Sequence, residues 1–327
     1  MRQTKIGFVP IKKPIKNIEP PLIKQIKPSH IEKKHDYKDT VVTYTWCECG
    51  ENHHGNQQIG EIAEPGQGFN LDDLLAVKTY VKTNFNCKSK IFDLKKLGLK
   101  DENDDEMIIN KVNRKNNKLE RVEVNDAHFL LIKNLIPSIL KQHDLKMDDL
   151  MDEVMDKKWD SKFWDPMKKK VLNKHARKNN CISEIEQTAK YDECKGTIHS
   201  FESMPIMNLL RGVFKDMGGK FDFPCSEGNL YEDGGKKKNG IGWHGDSERR
   251  RVLSMRLGLN PSMPFNYRWQ YKNKEIGKLM IWKIKAGDVM VMSEWAVGTE
   301  WKNKNKVTLV HSTGAPKYVK SKTQPFG

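Results

Sequence analysis

No apolar run in this 327-residue sequence approaches the roughly 20 residues that cross a bilayer. Its first residues also lack the continuous apolar core of a cleavable signal peptide. A soluble intracellular protein, cytoplasmic or nuclear, is therefore expected, with no membrane partner. Cysteine is sparse: Cys47, Cys49, Cys87, Cys181, Cys194 and Cys225 are too scattered for a small disulfide scaffold, which points to a reducing compartment. Histidine is scarce in the C-terminal part, where only His244 and His311 follow Ser200. Hydrophobic residues make up 37% of the chain, enough for a real core beneath a polar surface.

Positive charge is what the sequence has in excess: 58 Lys and Arg stand against 43 Asp and Glu, a formal net charge of +15. Such a surface attracts polyanions at long range, and nucleic acid is the natural partner. The alternative is that the lysines only solvate the surface. Residues 1–40 hold ten Lys/Arg against four Asp/Glu, several prolines and the run Lys12-Lys13-Pro14-Ile15-Lys16. They read as a basic extended arm that cannot build a core and is suited to following a phosphate backbone.

Residues 41–135 read as a small mixed α/β domain. A strand over 41–46 leads to Cys47-Glu48-Cys49-Gly50-Glu51-Asn52-His53-His54, whose thiols and imidazoles can in principle enclose zinc. The usual C-x₂₋₄-C spacing is missing, however, and a polar loop is the preferred reading. Asn70 caps a helix carrying Leu71, Leu74, Leu75, Val81 and Phe85, followed by strands over 90–94, 107–112 and 127–132.

Residues 136–218 read as a helical lead-in and lid. Ile139, Leu140, Leu145, Leu150, Met151 and Val154 mark helical periodicity over 137–156, a core stripe rather than a ligand box. Trp159, Phe163 and Trp164 anchor the next segment by packing, and a second helix is expected over 204–217. From residue 219 onward the pattern changes. Strands over 251–259, 265–271, 278–283, 288–292 and 306–310 are separated by Asn260-Pro261, Asn273 and Ala286-Gly287. Even spacing of this kind suggests an antiparallel sandwich or barrel.

The chemistry concentrates in His244-Gly245-Asp246. Residues two apart on an extended segment project to one face, so this imidazole and carboxylate form half of a metal site. A third ligand from a distant strand completes the two-histidine, one-carboxylate set that holds Fe(II) with open positions. His311, in the apolar run Val307-Thr308-Leu309-Val310-His311, is the obvious candidate.

Four segments occur in an order that resembles the AlkB-like 2-oxoglutarate- and Fe(II)-dependent dioxygenases. They are Asn229-Leu230-Tyr231, His244-Gly245-Asp246, Val252-Leu253-Ser254-Met255-Arg256-Leu257-Gly258 and Ala286-Gly287-Asp288-Val289-Met290-Val291-Met292. The likeness runs from about residue 229 to the C-terminus. It implies an α+β protein whose residues 219–327 form a C-terminal double-stranded β-helix, a jelly-roll-like barrel, with helical segments before it and the mixed α/β region N-terminal to both. It also implies Fe(II) and 2-oxoglutarate as cofactors: O₂ and 2-oxoglutarate yield succinate and CO₂ while a substrate C–H bond is oxidised. His244 and Asp246 would be the catalytic metal ligands, and Asn229 and Tyr231 would contact the co-substrate.

The sequence departs from the family in two places. The family's distal histidine corresponds here to Thr299-Glu300-Trp301, and the two arginines of its last strand are missing, with His311 near the second. Two assignments follow: His311 as third ligand, or Glu300 as an unusual carboxylate ligand with His311 helping to hold the co-substrate. His311 is preferred, because imidazole is the commoner ligand. For the missing arginines, Arg256 pointing inward and Lys317 or Lys320 reaching over the mouth are the substitutes, although a lysine lacks the planar fork.

The resemblance also makes Lys174, Arg177 and Lys178 lid candidates. Arg249, Arg250 and Arg251, directly after the metal motif, are placed to hold a nucleic-acid backbone while a base swings into the pocket. Trp243, Tyr267, Trp269, Trp295 and Trp301 offer aromatic surface nearby. The expected function is oxidation or demethylation of a nucleic-acid base by a monomer. Its alternatives are a protein side-chain hydroxylase and a catalytically inactive nucleic-acid-binding barrel. The lysine- and asparagine-rich character is similar to that of proteins from large DNA viruses.

Overall fold

Strand alternation decides which residues meet at the centre of this protein, beginning with the first element of the computed structural model. Residues 37, 39–52, 57–113, 115, 117–259 and 262–319 are described. The basic arm therefore lies almost wholly outside the described residues, as do His53, His54 and Lys320. Val41–Cys47 (β1) sends Val42, Tyr44 and Trp46 to one face and Thr43 and Thr45 to the other. Cys49–Asn52 (β2) and Gln57–Gly60 (β3) form a hairpin where the sequence reads as a polar loop.

Leu71–Phe85 (α1) starts at the expected cap. Asp73 N donates to Asn70 Oδ1 and Asn70 N to Asp73 Oδ2, each at 2.9 Å, a reciprocal capping box. Ser89–Asp93 (β4), Leu94–Gly98 (α2), the hairpin Asn110–Asn113 (β5) with Lys118–Arg121 (β6), and His128–Ile132 (β7) follow. The helical stretch expected over 137–156 is two helices, Leu135–Gln142 (α3) and Met147–Met155 (α4), parted by Asp144 in a left-handed conformation. Next come the hairpin Lys162–Asp165 (β8) with Lys170–Asn173 (β9), then Lys178–Ser183 (β10), Ile198–Ser200 (β11) and Pro205–Lys215 (α5). The C-terminal part contributes Cys225–Tyr231 (β12), Gly240–His244 (β13), Val252–Leu257 (β14), Ser262–Tyr271 (β15), Lys274–Lys285 (β16), Val289–Met292 (β17), Glu294–Val297 (α6) and Thr308–Gly314 (β18).

The result is a mixed α/β, strand-rich fold. An eight-stranded sheet runs β11-β10-β12-β1-β14-β17-β7-β4, antiparallel except at β10·β11, and a four-stranded antiparallel sheet runs β13-β18-β15-β16. Among the described residues neither sheet closes on itself. The division at residue 135 does not hold as a domain boundary. β1, β4 and β7, from the segment expected to stand apart, are hydrogen-bonded into the same sheet as β12, β14 and β17.

One face of the large sheet carries Val42, Tyr44, Trp46, Leu230, Leu253, Met255, Val289 and Val291. It packs against the apolar stripes of α1, α3, α4 and α5, Leu150, Met151 and Val154 among them. The other face meets the small sheet: Phe129, Leu131, Met290 and Met292 pack on Phe265, Tyr267, Trp269 and Leu309. No helix among the described residues is long and apolar enough to cross a membrane.

Candidate metal centre

At the end of the inter-sheet space nearest β12, β1 and β14, the apolar packing gives way to polar side chains. His244 ends β13 and lies directly opposite His311 on β18, so strand pairing alone brings the two imidazoles together, with ring centroids 4.4 Å apart. Asp246 belongs to the loop beyond β13, where its N–H donates to Val297 O. Gly245 is required between them, because a Cβ there would lie 2.2 Å from Gly298 O. Asp246 Oδ1 is 3.6 Å from His244 Nε2 and 3.8 Å from His311 Nε2. Both separations are short of the roughly 4.2 Å that two metal–ligand bonds of about 2.1 Å can span.

The ring orientation of His244 and the burial of His311 suit a cation. His244 Nδ1 lies 2.7 Å from Gly242 O, so Nδ1 carries a proton donated to that carbonyl and Nε2 is the nitrogen turned toward Asp246. Burial, reinforced by the charges of His244 and Arg249, holds His311 well below the ordinary imidazole range, so it is neutral. Among the described residues this trio is the one group of three potential ligands whose donor atoms lie within 4.8 Å of one another. Glu300 lies apart from it, with both carboxylate oxygens on Lys306 Nζ at 2.6 and 2.7 Å.

The trio opens into a cavity of about 100 Å³ that Asn229, Tyr231, Thr43, Thr45, Ser254, Arg256 and Thr313 also line. Asn229 Oδ1 accepts from Arg177 Nε at 2.6 Å and from Asn179 Nδ2 at 2.5 Å, which leaves its Nδ2 for a ligand. Tyr231 is buried and its phenol is pushed up to about 12, so it stays protonated. Arg256 is 1% exposed, and its Nε and Nη1 have no hydrogen-bond partner in the protein. Burial lowers its pKa to about 10, so it remains a cation at neutral pH. Lys317 is exposed, with its ammonium against the ring of Tyr318, and does not line the cavity.

Of the three consecutive arginines, Arg249 and Arg250 are drawn into internal ion pairs, and Arg251 stays half-buried at the edge. Arg249 is 3% exposed, bound to Glu227 at 2.6 Å and to Glu248 at 2.9 Å, with a further contact to Cys47 Sγ. Arg250 pairs with Glu294 and donates to Ala63 O, and Arg251 donates to Gln67 O. Glu48 accepts the backbone N–H groups of both Arg250 and Arg251. A run of like charge thus serves as an internal clamp on the loop that carries Asp246.

A larger cleft of about 660 Å³ adjoins the cavity, sharing Glu51, Arg177 and Glu227 with it. The hairpin β8–β9 supplies Phe163, Asp165 and Leu172, and Lys168, Lys174 and His175 complete much of the wall. Of the lid candidates, Lys174 and Arg177 are here, whereas Lys178 pairs with Glu232. Burial lowers Lys174 to about 8. Glu51 is driven up to about 7, first by burial and then by the charges of Glu248 and Glu227. Of the five aromatic candidates, Tyr267 and Trp269 are core, Trp243 lies beneath the guanidinium of Arg268, Trp295 packs against the inter-sheet core, and Trp301 donates to Ser247 Oγ.

Sequence reasoning missed Thr43, Thr45, Glu51, Glu227 and Glu248. For the two threonines the signal was present in Val41-Val42-Thr43-Tyr44-Thr45-Trp46, which alternates apolar and polar. What it faces is decided by strands far away in sequence.

No protein-family model matches the sequence. The chain is similar to the uncharacterized protein R156 of Acanthamoeba polyphaga mimivirus. They are 34% identical over 290 residues, which cover 87% of this chain and 99% of that protein. The organism is consistent with the viral character expected from the sequence.

Proposed function

The chain belongs to one family with that mimivirus protein, and for this chain we propose an Fe(II)- and 2-oxoglutarate-dependent dioxygenase that oxidises a group inserted from the 660 Å³ cleft. The observation that carries the proposal is the trio His244, Asp246 and His311. These are two imidazoles on paired strands and one carboxylate on the loop beyond β13, the ligand set suited to non-haem Fe(II) with open positions. When bound, the iron would activate O₂, which is the oxidant, with two of its four electrons coming from the oxo acid and two from the substrate. The protein holds the metal through His244 Nε2, His311 Nε2 and Asp246, with Gly242 O fixing the His244 ring.

The strand order supports a double-stranded β-helix as the finer description of the fold. Numbering β12 as first and continuing along the chain, β13 pairs with β18, β14 with β17 and β15 with β16. These are second with seventh, third with sixth, and fourth with fifth, the nested pairing of a double-sheet jelly roll. First with eighth remains, and the strand paired with β12 in that place is β1. The N-terminal strand thus takes the place that the family gives to its last, which accounts for an absent arginine pair.

For the substrate, the entry to the metal is lined by Glu51, Glu227 and Glu248. The reacting group is accordingly neutral or cationic, and any phosphate stays outside, near Lys168 and Lys174. A nucleic-acid base fits this division, with the backbone along the cleft. A second reading, a basic protein side chain, is favoured by the internal pairing of Arg249 and Arg250, which removes them from backbone binding.

Anaerobic Fe(II) and 2-oxoglutarate binding followed by succinate release on admitting O₂ tests the proposal. Release is expected to disappear in His244→Ala and His311→Ala and to persist in Glu300→Ala. Absence of both iron binding and succinate in the wild type would overturn it. Enhanced succinate release with a single-stranded oligonucleotide, set against a lysine-rich peptide, separates the two substrate readings.

A further inference from the structure

Two buried thiols meet where β1 ends and β12 begins, and neither takes part in the metal site. Cys47 and Cys225 face each other in register, with their sulfurs 3.8 Å apart. Arg249, whose neighbours it clamps beside Asp246, donates from Nη1 to Cys47 Sγ at 3.5 Å. Cys225 Sγ donates to Ile59 O at 3.3 Å. Gly50 lies over both sulfurs: a Cβ there would be 3.2 Å from Cys225 Sγ and 3.8 Å from Cys47 Sγ. The pair is therefore capped by the β2–β3 hairpin.

That hairpin is two-stranded and joins neither large sheet through a ladder, the kind of unit that is marginal by itself. Side-chain ties hold it in place. Gln57 reaches Gln187 at 3.0 Å and accepts from Gly196 N at 3.3 Å, and the Cys225 thiol secures Ile59 from the sheet side. The hairpin also carries Glu51, which lines both the metal cavity and the larger cleft. A thiol hydrogen thus helps to hold one wall of the shared mouth.

We propose that Cys47 and Cys225 are an oxidative modification site, at which hydrogen peroxide forms a cross-strand disulfide and so releases the β2–β3 hairpin, with Glu51, from the mouth of the cavity. Burial holds the Cys47 thiol well above its ordinary range, so the closed pair is inert and reaction follows local lifting of the hairpin. The Cys47 thiolate, beside the Arg249 cation, attacks one peroxide oxygen. The O–O bond breaks, giving the sulfenic acid and a hydroxide that becomes water with the proton Cys47 gave up. The Cys225 sulfur then displaces the sulfenic hydroxyl, which leaves as a second water with the Cys225 proton. Two thiols lose two electrons and one peroxide gains them. Opposed Cβ atoms of a strand pair are roughly 4.5–5.5 Å apart and a disulfide spans roughly 3.5–4.5 Å, so a small tightening of the strand ends suffices. The hydrogen that Ile59 O accepted is then gone. The step needs neither iron nor oxo acid, and it stands or falls apart from the dioxygenase reading.

The test uses the full reduced chain, freed of metal so that no other peroxide chemistry intervenes. After treatment with hydrogen peroxide, peptide mapping without reductant is expected to recover Cys47 joined to Cys225, and dithiothreitol to separate them. Hydrogen exchange gives the second readout. Amides of β2 and β3 are expected to exchange faster in the oxidised protein by about 3- to 10-fold, the range that loss of one ordinary hydrogen bond allows, while those of β14 and β17 are unchanged. Cys225→Ser keeps a donor for Ile59 O and cannot cross-link, so its hairpin exchanges slowly with or without peroxide. Cys225→Ala has lost the donor, and its hairpin exchanges fast before any oxidant is added. Cys49→Ser and Cys181→Ser cross-link as the wild type does.

Recovery of Cys47 and Cys225 as free thiols after peroxide overturns the proposal, as does a disulfide that joins either of them to Cys49 or Cys181 instead. A Cys47–Cys225 disulfide with unchanged exchange in β2 and β3 overturns the release of the hairpin. Acceleration by peroxide in Cys225→Ser equal to that in the wild type assigns the effect to another residue and overturns the site.

Discussion

The space between the two sheets has two ends built on opposite principles. At the β7 end, Phe129, Phe265, Tyr267 and Trp282 interlock, with ring centroids 5.1–6.1 Å apart. At the β12 end, the same pleat aims Asn229, Glu227, Thr43, Thr45, Arg256, His244 and His311 inward. Alternation of side chains is identical at both ends; only the residue types differ. The first end secures the distance between the sheets, and the second uses that fixed distance to hold buried polar groups that water alone would serve better. Placing such groups on strands, with neighbours that cannot collapse, is what preorganises a site.

Breaking the apolar end should have the largest effect. Phe129→Ala is expected to lower stability by about 3–5 kcal/mol, measured by urea denaturation, while the molecules that remain folded still bind metal. Arg249→Ala comes next. Removing the partner of Glu227 and Glu248 leaves buried carboxylates unmatched, and a loss of about 3–5 kcal/mol is expected. An exposed arginine would cost almost nothing, so the denaturation midpoint separates a clamp from a surface charge. At the metal trio, Asp246→Ala is expected to weaken Fe(II) binding by more than about 100-fold, with the melting temperature of the metal-free protein preserved. Loss of the fold instead would mean that the polar end is structural.

Glu51 sharpens the comparison through pH. Its carboxyl is raised from the ordinary 4.5 to about 7, mainly by burial and then by neighbouring carboxylates. The folded state therefore holds the proton more tightly than the unfolded chain. The penalty is absent below about pH 4.5, grows as pH rises and is complete above pH 7. Glu51→Gln is expected to flatten that part of the stability profile, gaining on the wild type at pH 8 and not at pH 4. Parallel profiles would show that Glu51 is not an unmatched carboxyl. The smallest effect belongs to Glu300→Ala, an exposed pair with Lys306, at about 0.2–1 kcal/mol with no change in metal affinity.

What could be read beforehand follows local signals. β14 to β18 are legible because β-branched and aromatic runs are punctuated by Asn273 and by Ala286-Gly287, and α1 because Asn70 and Asp73 cap it reciprocally. His244-Gly245-Asp246 is legible from its spacing, and His311 from the scarcity of histidine beyond Ser200. Arg249, Arg250 and Arg251 were illegible for the converse reason. Apart from Glu248, which adjoins Arg249, their partners Glu227, Glu294, Ala63 O and Gln67 O are distant in sequence, so a paired cluster looks like an exposed one. Pairing over long separations likewise conceals that β1 lies between β12 and β14.

That strand placement also bears on how the molecule comes into being. Cys47 on β1 and its cross-strand neighbour Cys225 are 178 residues apart. At roughly 5–20 residues per second, the ribosome needs on the order of 9–36 s to produce the second after the first. For that interval β1 has both hydrogen-bonding edges open, one awaiting β12 and the other β14. The wall that carries Thr43 and Thr45 is thus the first part of the cavity to be synthesised and among the last to be fixed, a pairing over long sequence separation of the kind that slows folding.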